Sequence, residues 1–288
     1  MRACRDSETA AFFPQDSPWR VAWESQRRSV TIRAMETQQL DYADGELACE
    51  AYVAHDPSIS GPRPVVLVFH AWGGQDDFAR SKAEMLARHG YLGVAVDMYG
   101  KGRRGETPEQ CSALMMPFVQ DRALLLRRAS AACHFARHHP LADGHRMGAI
   151  GFCFGGMCAL DVARAGVPGI KAVVSFHGLL GAPTGITAGP RPMQARVLAC
   201  HGWNDPMAKP VDFQAFAGEM TAAGCDWNAL VFGHRGHAFT NPKAADAAGG
   251  MQYCERAERR AFAAMGDLLH ECLVVQPSAA LGACPVPA

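Results

Sequence analysis

The chain has 288 residues, 49% hydrophobic and 19% charged, which is enough for a sizeable core in one large domain or two small ones. Lys and Arg number 28, as do Asp and Glu, a balance that excludes the basic footprint of a nucleic-acid binder and the composition of an acidic disordered solvator. The 11 cysteines are an odd number and no Cys-x-x-Cys pair occurs, which excludes a fully paired disulfide scaffold, a zinc ribbon and a thioredoxin-type redox pair.

Residues 1–34 are polar, lack a sustained period and hold no apolar run suited to a signal segment, so a peripheral extension is expected. No stretch approaches the roughly 18 apolar residues of a membrane span. A soluble, cytoplasmic protein without membrane or nucleic-acid partners is expected, as monomer or homodimer. Regular patterning begins near Met35. Asp44-Gly45 predicts the turn of a hairpin whose second strand is Glu46–Val53. Val65–Phe69, after Pro64, is a continuous β-branched run of the kind buried on both faces. Helical spacing predicts a helix over Phe78–His89, stopped by Gly90. Leu92–Val96 is the next buried strand, and Gly100–Pro108 a loop. Asp121–Arg137 is an amphipathic helix. Met147–Gly151 is a strand and Gly155–Ala165 a helix of small residues. Strands follow at Ala172–Phe176, Arg196–Cys200 and Trp227–Phe232, with a helix over Val211–Ala223. Ala257–Cys272 closes the pattern, and 276–288 is a Pro/Ala/Gly tail.

Strands alternating with helices predict an α/β domain over residues 35–275, a mostly parallel central sheet with helices on both faces. Ligands then sit at the carboxyl ends of the strands. One such end reads Gly151-Phe152-Cys153-Phe154-Gly155-Gly156. A nucleophile in a G-x-C-x-G turn projects at a helix N-terminus, where the backbone dipole favours a thiolate. The N–H of Phe154 is then an oxyanion donor. The alternative is a structural Cys in a glycine-rich turn. The Walker-A Lys and the G-x-G-x-x-G pattern of phosphate cradles are absent.

Nucleophile-elbow enzymes place acid and then histidine later in the chain. Asp205, in His201-Gly202-Trp203-Asn204-Asp205-Pro206, follows one predicted strand; a simple Asp-Pro turn is its alternative. His234 and His237 follow the last. His237 is preferred as base because Gly236 precedes it and Phe239 anchors the loop.

These residues resemble the dienelactone hydrolase family, the cysteine-using branch of the α/β-hydrolase fold. The similarity spans about residues 40–270, rests on the Cys153, Asp205-Pro206 and Gly236-His237-Ala238-Phe239 segments, and includes a strand ending in Asp97-Met98-Tyr99. The resemblance implies cleavage of an ester or lactone through an acyl-enzyme, with a small-molecule substrate and neither cofactor nor metal. It implies Cys153 as nucleophile, His237 as base, Asp205 as its orienter, and the N–H groups of Phe154 and Trp72 as oxyanion hole. His70, Ala71, Trp203, Phe239 and Asn241 are expected on the substrate pocket, with the rings of Trp72, Trp203 and Phe154 as its apolar, aromatic lining; core packing is the alternative for these rings and at least an equal reading for Trp203. Two departures stand out. Ala71 occupies the place of the family's thiol-activating Glu, with His70 as a candidate substitute. Asn241 occupies the place of a carboxylate-binding Arg; Arg103 and Arg104 are candidates for the rest of that clamp. The expected substrate is therefore an ester or lactone other than dienelactone. A non-catalytic binding module retaining the pocket, or a redox-sensing thiol at Cys153 and Cys158, are the competing readings.

Overall fold

The computed structural model describes residues 35–184, 189 and 192–275; the expected extension over 1–34 and the tail over 276–288 lie outside the described residues. The period of two in the apolar strands divides the interior into two layers. In β3 (Arg63–Phe69) every residue is buried. Its Val65, Leu67 and Phe69 enter one core cluster, and Val66 and Val68 enter the other. In β4 (Leu92–Val96) the same alternation sends Leu92, Val94 and Val96 to the first and Ala95 to the second.

The preceding hairpin is β1 (Glu36–Asp44) and β2 (Leu47–His55), turning at Gly45 in the left-handed region. The remaining strands are β5 (Ala142–Phe152), β6 (Ile170–Phe176), β7 (Arg196–Gly202) and β8 (Trp227–Phe232), and a small separate ribbon pairs β9 (Ala245–Asp246) with β10 (Met251–Gln252). The main sheet has eight strands in the order β1-β2-β4-β3-β5-β6-β7-β8. β2 runs antiparallel to both β1 and β4, and the pairs from β4 to β8 are parallel.

Helices α1 (Asp77–Arg88) and α6 (Glu255–Leu273) cover one face, with Leu86, Met265 and Leu269 in that core. Helices α3 (Arg122–Arg137), α4 (Phe154–Arg164) and α5 (Pro210–Ala222) cover the other, with Leu125, Met157 and Phe216. The expected mostly parallel, two-faced α/β sheet is what is observed.

The β9–β10 ribbon and one helix differ from the sequence reading. Helix α2 (Pro108–Gln120) occupies a stretch to which no structure was assigned. Only Cys111 and Phe118 are buried along it and Pro117 lies inside it, so it carries no strong apolar stripe. Its start was legible, because Thr107 accepts from the Gln110 N–H, the Gln110 side chain reciprocates, and Pro108 stands at the first helical position.

The helices of one face are tied by a buried ion network. Asp161 of α4 is fully buried and accepts from Arg122 Nε at 2.7 Å and Nη2 at 2.6 Å, and from Arg164 Nη1 at 3.1 Å. Arg164 also grips Glu219 of α5 at 2.7 Å and the Leu180 carbonyl at 2.8 Å. Among the described residues no helix is long and apolar enough to cross a membrane. Removing the shared carboxylate leaves the Arg122 guanidinium without its carboxylate partner and Arg164 with Glu219 alone in a low-dielectric interior. Asp161→Ala is therefore expected to lower unfolding free energy by about 3–5 kcal/mol in urea titrations; a loss under about 1 kcal/mol would mean that the network is not a structural tie.

Candidate active site

The turn from β5 into α4 places Cys153 at the helix N-cap with φ 56° and ψ −116°. That conformation costs a non-glycine residue on the order of 1–3 kcal/mol and persists only when its surroundings hold it. They do so through contact and hydrogen bonding. A Cβ on Gly151 would lie 1.9 Å from the Gly155 carbonyl oxygen, and one on Gly155 would lie 2.1 Å from that of Phe69. The glycines thus let α4 press against β5 and β3. The Cys153 N–H donates to the Phe176 carbonyl at 3.0 Å, locking the turn to β6. Cys153 itself is half-buried.

The acid and the histidine arrive on two loops that are zipped together. The Trp203 N–H donates to the Phe232 carbonyl at 3.0 Å and the Asn204 N–H to that of Arg235 at 2.8 Å. Asp205 Oδ1 accepts from the Met207 N–H at 2.8 Å, which leaves Oδ2 for His237 Nδ1, also at 2.8 Å. Both side chains are essentially inaccessible, at 2% for His237 and 0% for Asp205. The His237 backbone N–H donates to the Gly250 carbonyl at 2.8 Å, so the ribbon of β9 and β10 braces this loop. His234, the other candidate base, is exposed.

Burial opposes a charge on His237, but the neighbouring Cys153 sulfur and the hydrogen bond to Asp205 outweigh it and raise its pKa from 6.5 to about 10. His237 Nε2 is buried without a hydrogen bond of ordinary geometry.

On the far side of Cys153, the β3 carboxyl end turns through Ala71–Gly74, closed by the Gly74 N–H to the Ala71 carbonyl at 3.2 Å. The Tyr99 hydroxyl donates to the Trp72 carbonyl at 2.9 Å and fixes that peptide. This accounts for the strand ending in Asp97-x-Tyr99: Asp97 Oδ1 accepts from the Tyr99 and Gly100 N–H groups and turns the chain so that Tyr99 reaches Trp72. Phe154 begins α4, where a backbone N–H has no carbonyl one turn earlier to bond.

The expected pocket residues divide. Trp72 and Trp203 are exposed, at 37% and 42%, and Ala71 and Asn241 are half-buried. His70 and Phe239 are instead fully buried and belong to the framework. His70 Nε2 accepts from the Met98 N–H at 3.1 Å, so the proton sits on Nδ1 and is donated to the Ala71 carbonyl at 2.6 Å. With both nitrogens engaged, His70 is no substitute for an activating Glu. Phe239 packs between Phe232 and His177, with ring centroids at 5.0 and 5.2 Å. The Phe154 ring, expected to help line the pocket, stacks on Tyr99 in the interior.

The expected carboxylate clamp is not assembled. Arg104 donates to Glu50 at 2.6 Å and to Gln75. Exposed Arg103 donates to the Tyr99 carbonyl at 3.2 Å, and Asn241 Oδ1 accepts from the Lys243 N–H at 3.0 Å. Cys158 is fully buried and its thiol pKa is raised well above the ordinary value, chiefly by burial. Among the described residues no group of three or more His, Cys, Asp or Glu is placed to hold a metal.

The sequence reading did not single out His177. It follows β6 as Asp205, His237 and Trp72 follow their strands, and its ring meets that of His237 edge-on with centroids 5.1 Å apart. Its place directly after a buried strand was the available signal.

A mostly parallel sheet with a strained nucleophile-type turn at one strand end and a paired acid and histidine at two others defines an α/β-hydrolase. The dienelactone hydrolase family model matches residues 49–273. The chain belongs to that family, whose members act as hydrolases of esters and lactones. It is 36% identical over 149 residues to an uncharacterized protein of Caenorhabditis elegans, K02A2.1, covering 50% of this chain and 91% of that one. It is 28% identical over 198 residues to a putative carboxymethylenebutenolidase of Yersinia pestis, covering 66% and 73%. Among solved structures it resembles the dienelactone hydrolase-like promiscuous phosphotriesterase P91 from metagenomic libraries. That match has a TM-score of 0.77 at 36% identity over 83% of this chain and 99% of that one.

Because Cys153 contributes to holding the proton on His237, Cys153→Ser is expected to move the His237 titration, followed by NMR, from about 10 toward 6.5. The sign for folding follows. A raised pKa contributes stability that is fully present below about pH 6.5 and is lost as pH rises through about 10. The substitution should therefore flatten that alkaline loss; an unchanged titration would show that the sulfur does not act on the ring.

Proposed function

We propose that the protein hydrolyses a small carboxylic ester or lactone through a Cys153–His237–Asp205 triad and an acyl-enzyme. The observation that carries this reading is the buried His237 ring, hydrogen-bonded through Nδ1 to Asp205 and raised to about 10 in part by Cys153. The thiolate attacks the substrate carbonyl carbon, and the N–H groups of Phe154 and Trp72 receive the oxyanion. As the tetrahedral intermediate collapses, His237 gives its proton to the departing alkoxide and a thioester remains on Cys153. For a lactone the alcohol stays tethered to the acyl group. Water then loses a proton to neutral His237 and attacks the thioester. The carboxylic acid leaves, and Cys153 and His237 return to their starting charges. Asp205 holds the ring in the tautomer that points Nε2 at the reaction.

The substrate class follows from where the cations are committed. Arg104 is bound to Glu50 and Gln75, Arg122 to Asp161, and Arg103 stands exposed with a bond to the Tyr99 carbonyl. Arg104 and Arg122 are thereby committed to carboxylates of the fold itself, and uncharged Asn241 stands where the family's arginine would grip a substrate carboxylate in bidentate fashion. With exposed Trp72 and Trp203 on nearby loops, the preferred substrate is an uncharged ester or lactone rather than dienelactone, which bears a carboxylate.

A p-nitrophenyl acetate assay tests the roles. Cys153→Ala and His237→Ala are expected to lower kcat at least about a thousandfold, since members of a triad act as a unit. His234→Ala should leave it within about twofold, as expected for an exposed side chain away from special contacts. Full turnover by Cys153→Ala would refute the mechanism, and loss on His234→Ala but not His237→Ala would reverse the choice of base.

A further inference from the structure

The carboxyl end of β6 touches both halves of the triad, and it does so through three consecutive residues. Phe176 accepts the Cys153 N–H at 3.0 Å. Gly178 lies against the first turn of α4, where a Cβ on Gly156 would come within 2.8 Å of its Cα. Between them His177 adopts φ 39°, an unusual conformation for a side chain with a Cβ, and its N–H donates to the Cys200 carbonyl at 2.8 Å. Its ring is buried to 2% exposure, meets His237 at 5.1 Å with planes 66° apart, and shares a hydrogen bond through Nε2 with Thr240 Oγ1 at 2.8 Å. Thr240 lies three residues beyond His237 on the same loop and is fully buried. His177 Nδ1 has no hydrogen-bond partner among the described residues.

A buried polar ring with one unmet nitrogen is costly, by about 1–3 kcal/mol for each unsatisfied group. A phenyl ring would fill the same space without that cost, so the Thr240 bond needs another reason. The neighbourhood supplies one. The His237 loop passes through Ala238 at φ 55°, and its bonds to Asp205 and to the Gly250 carbonyl tie it to β7 and the small ribbon, neither of which carries Cys153. The Phe176 bond fixes Cys153 to the end of β6, and the His177–Thr240 bond fixes the histidine loop to the next residue along. The two reacting groups thus share one short reference point on the sheet.

We propose that His177 is a positioning residue that sets the reach of His237 toward Cys153 by packing its ring against His237 and tethering the loop through Thr240. The inference rests on the triad reading above. His177 touches neither substrate nor the reacting atoms. It acts through His237, and a small displacement of a reacting group is enough to cost orders of magnitude in rate.

Two variants separate the roles. His177→Phe keeps a ring and deletes the tether, while Thr240→Val keeps the His177 ring and deletes the same bond from its other end in a nearly isosteric way. For each, kcat and KM with p-nitrophenyl acetate, the thermal midpoint, and the rate of Cys153 alkylation by iodoacetamide as a function of pH are measured on the full chain. Both variants are expected to lose at least about tenfold in kcat with KM within about twofold. The alkylation profile should shift, because the His237 charge no longer meets the sulfur in the same geometry. A merely structural role would instead lower the midpoint and leave kcat per folded molecule and the alkylation profile unchanged, and that result overturns the proposal. If His177→Phe does not fold, Thr240→Val decides alone. The alkylation readout needs no ester turnover. If Cys153→Ala retains turnover, the triad reading fails by itself; a shift in the alkylation profile would still report the tether, and an unshifted one would refute it.

Discussion

The backbone of Cys153 is held at φ 56° and ψ −116°, and the site depends on that strained residue staying where it is. Three elements prevent relaxation. Gly155 brings α4 close against β3, Gly151 brings it against β5, and the Phe176 carbonyl of β6 takes the Cys153 N–H. The energy for this comes from the strands themselves, since every residue of β3 and the last six of β5 are buried. The result is a sulfur raised above the sheet edge at a helix N-terminus, a place where negative charge is favoured.

The rest of the site works by keeping charges few and committed. His237 and Asp205 are buried as a pair and satisfied on every side but one, the side toward Cys153. His177 and His201 stand close by, and burial drives the pKa of each below its ordinary value, so both are neutral rings beside a histidine whose pKa is raised. Arg104 and Arg122 are bound to Glu50 and Asp161 of the fold itself. A site of this kind stabilises charge that develops during reaction better than charge that arrives on the substrate.

The strands and most helices were legible because their burial is nearly complete. Val65–Phe69 and Leu92–Val96 are runs that only a sheet covered on both faces explains. The layout of the candidate site was legible because Gly151, Gly155 and the order Cys153, Asp205, His237 are local or ordinal signals. What escaped depends on tertiary contact. Helix α2 lacks an apolar stripe and is marked only by its cap. Whether an aromatic or a histidine beside the site faces substrate or core is not a local property, so His70, Phe239 and the Phe154 ring were expected on the pocket and lie in the framework. His177 was missed for the complementary reason: it touches His237 from a strand distant in sequence, and no motif links the two.

The central claim is that acyl transfer passes through Cys153. The most direct measurement mixes the full chain with an activated ester, quenches in acid during turnover and locates any added acyl mass by intact-protein and peptide mass spectrometry. The account predicts one acyl increment, on the peptide that carries Cys153, absent from Cys153→Ala. An increment on another residue that persists in Cys153→Ala, or steady hydrolysis by that variant, would contradict it.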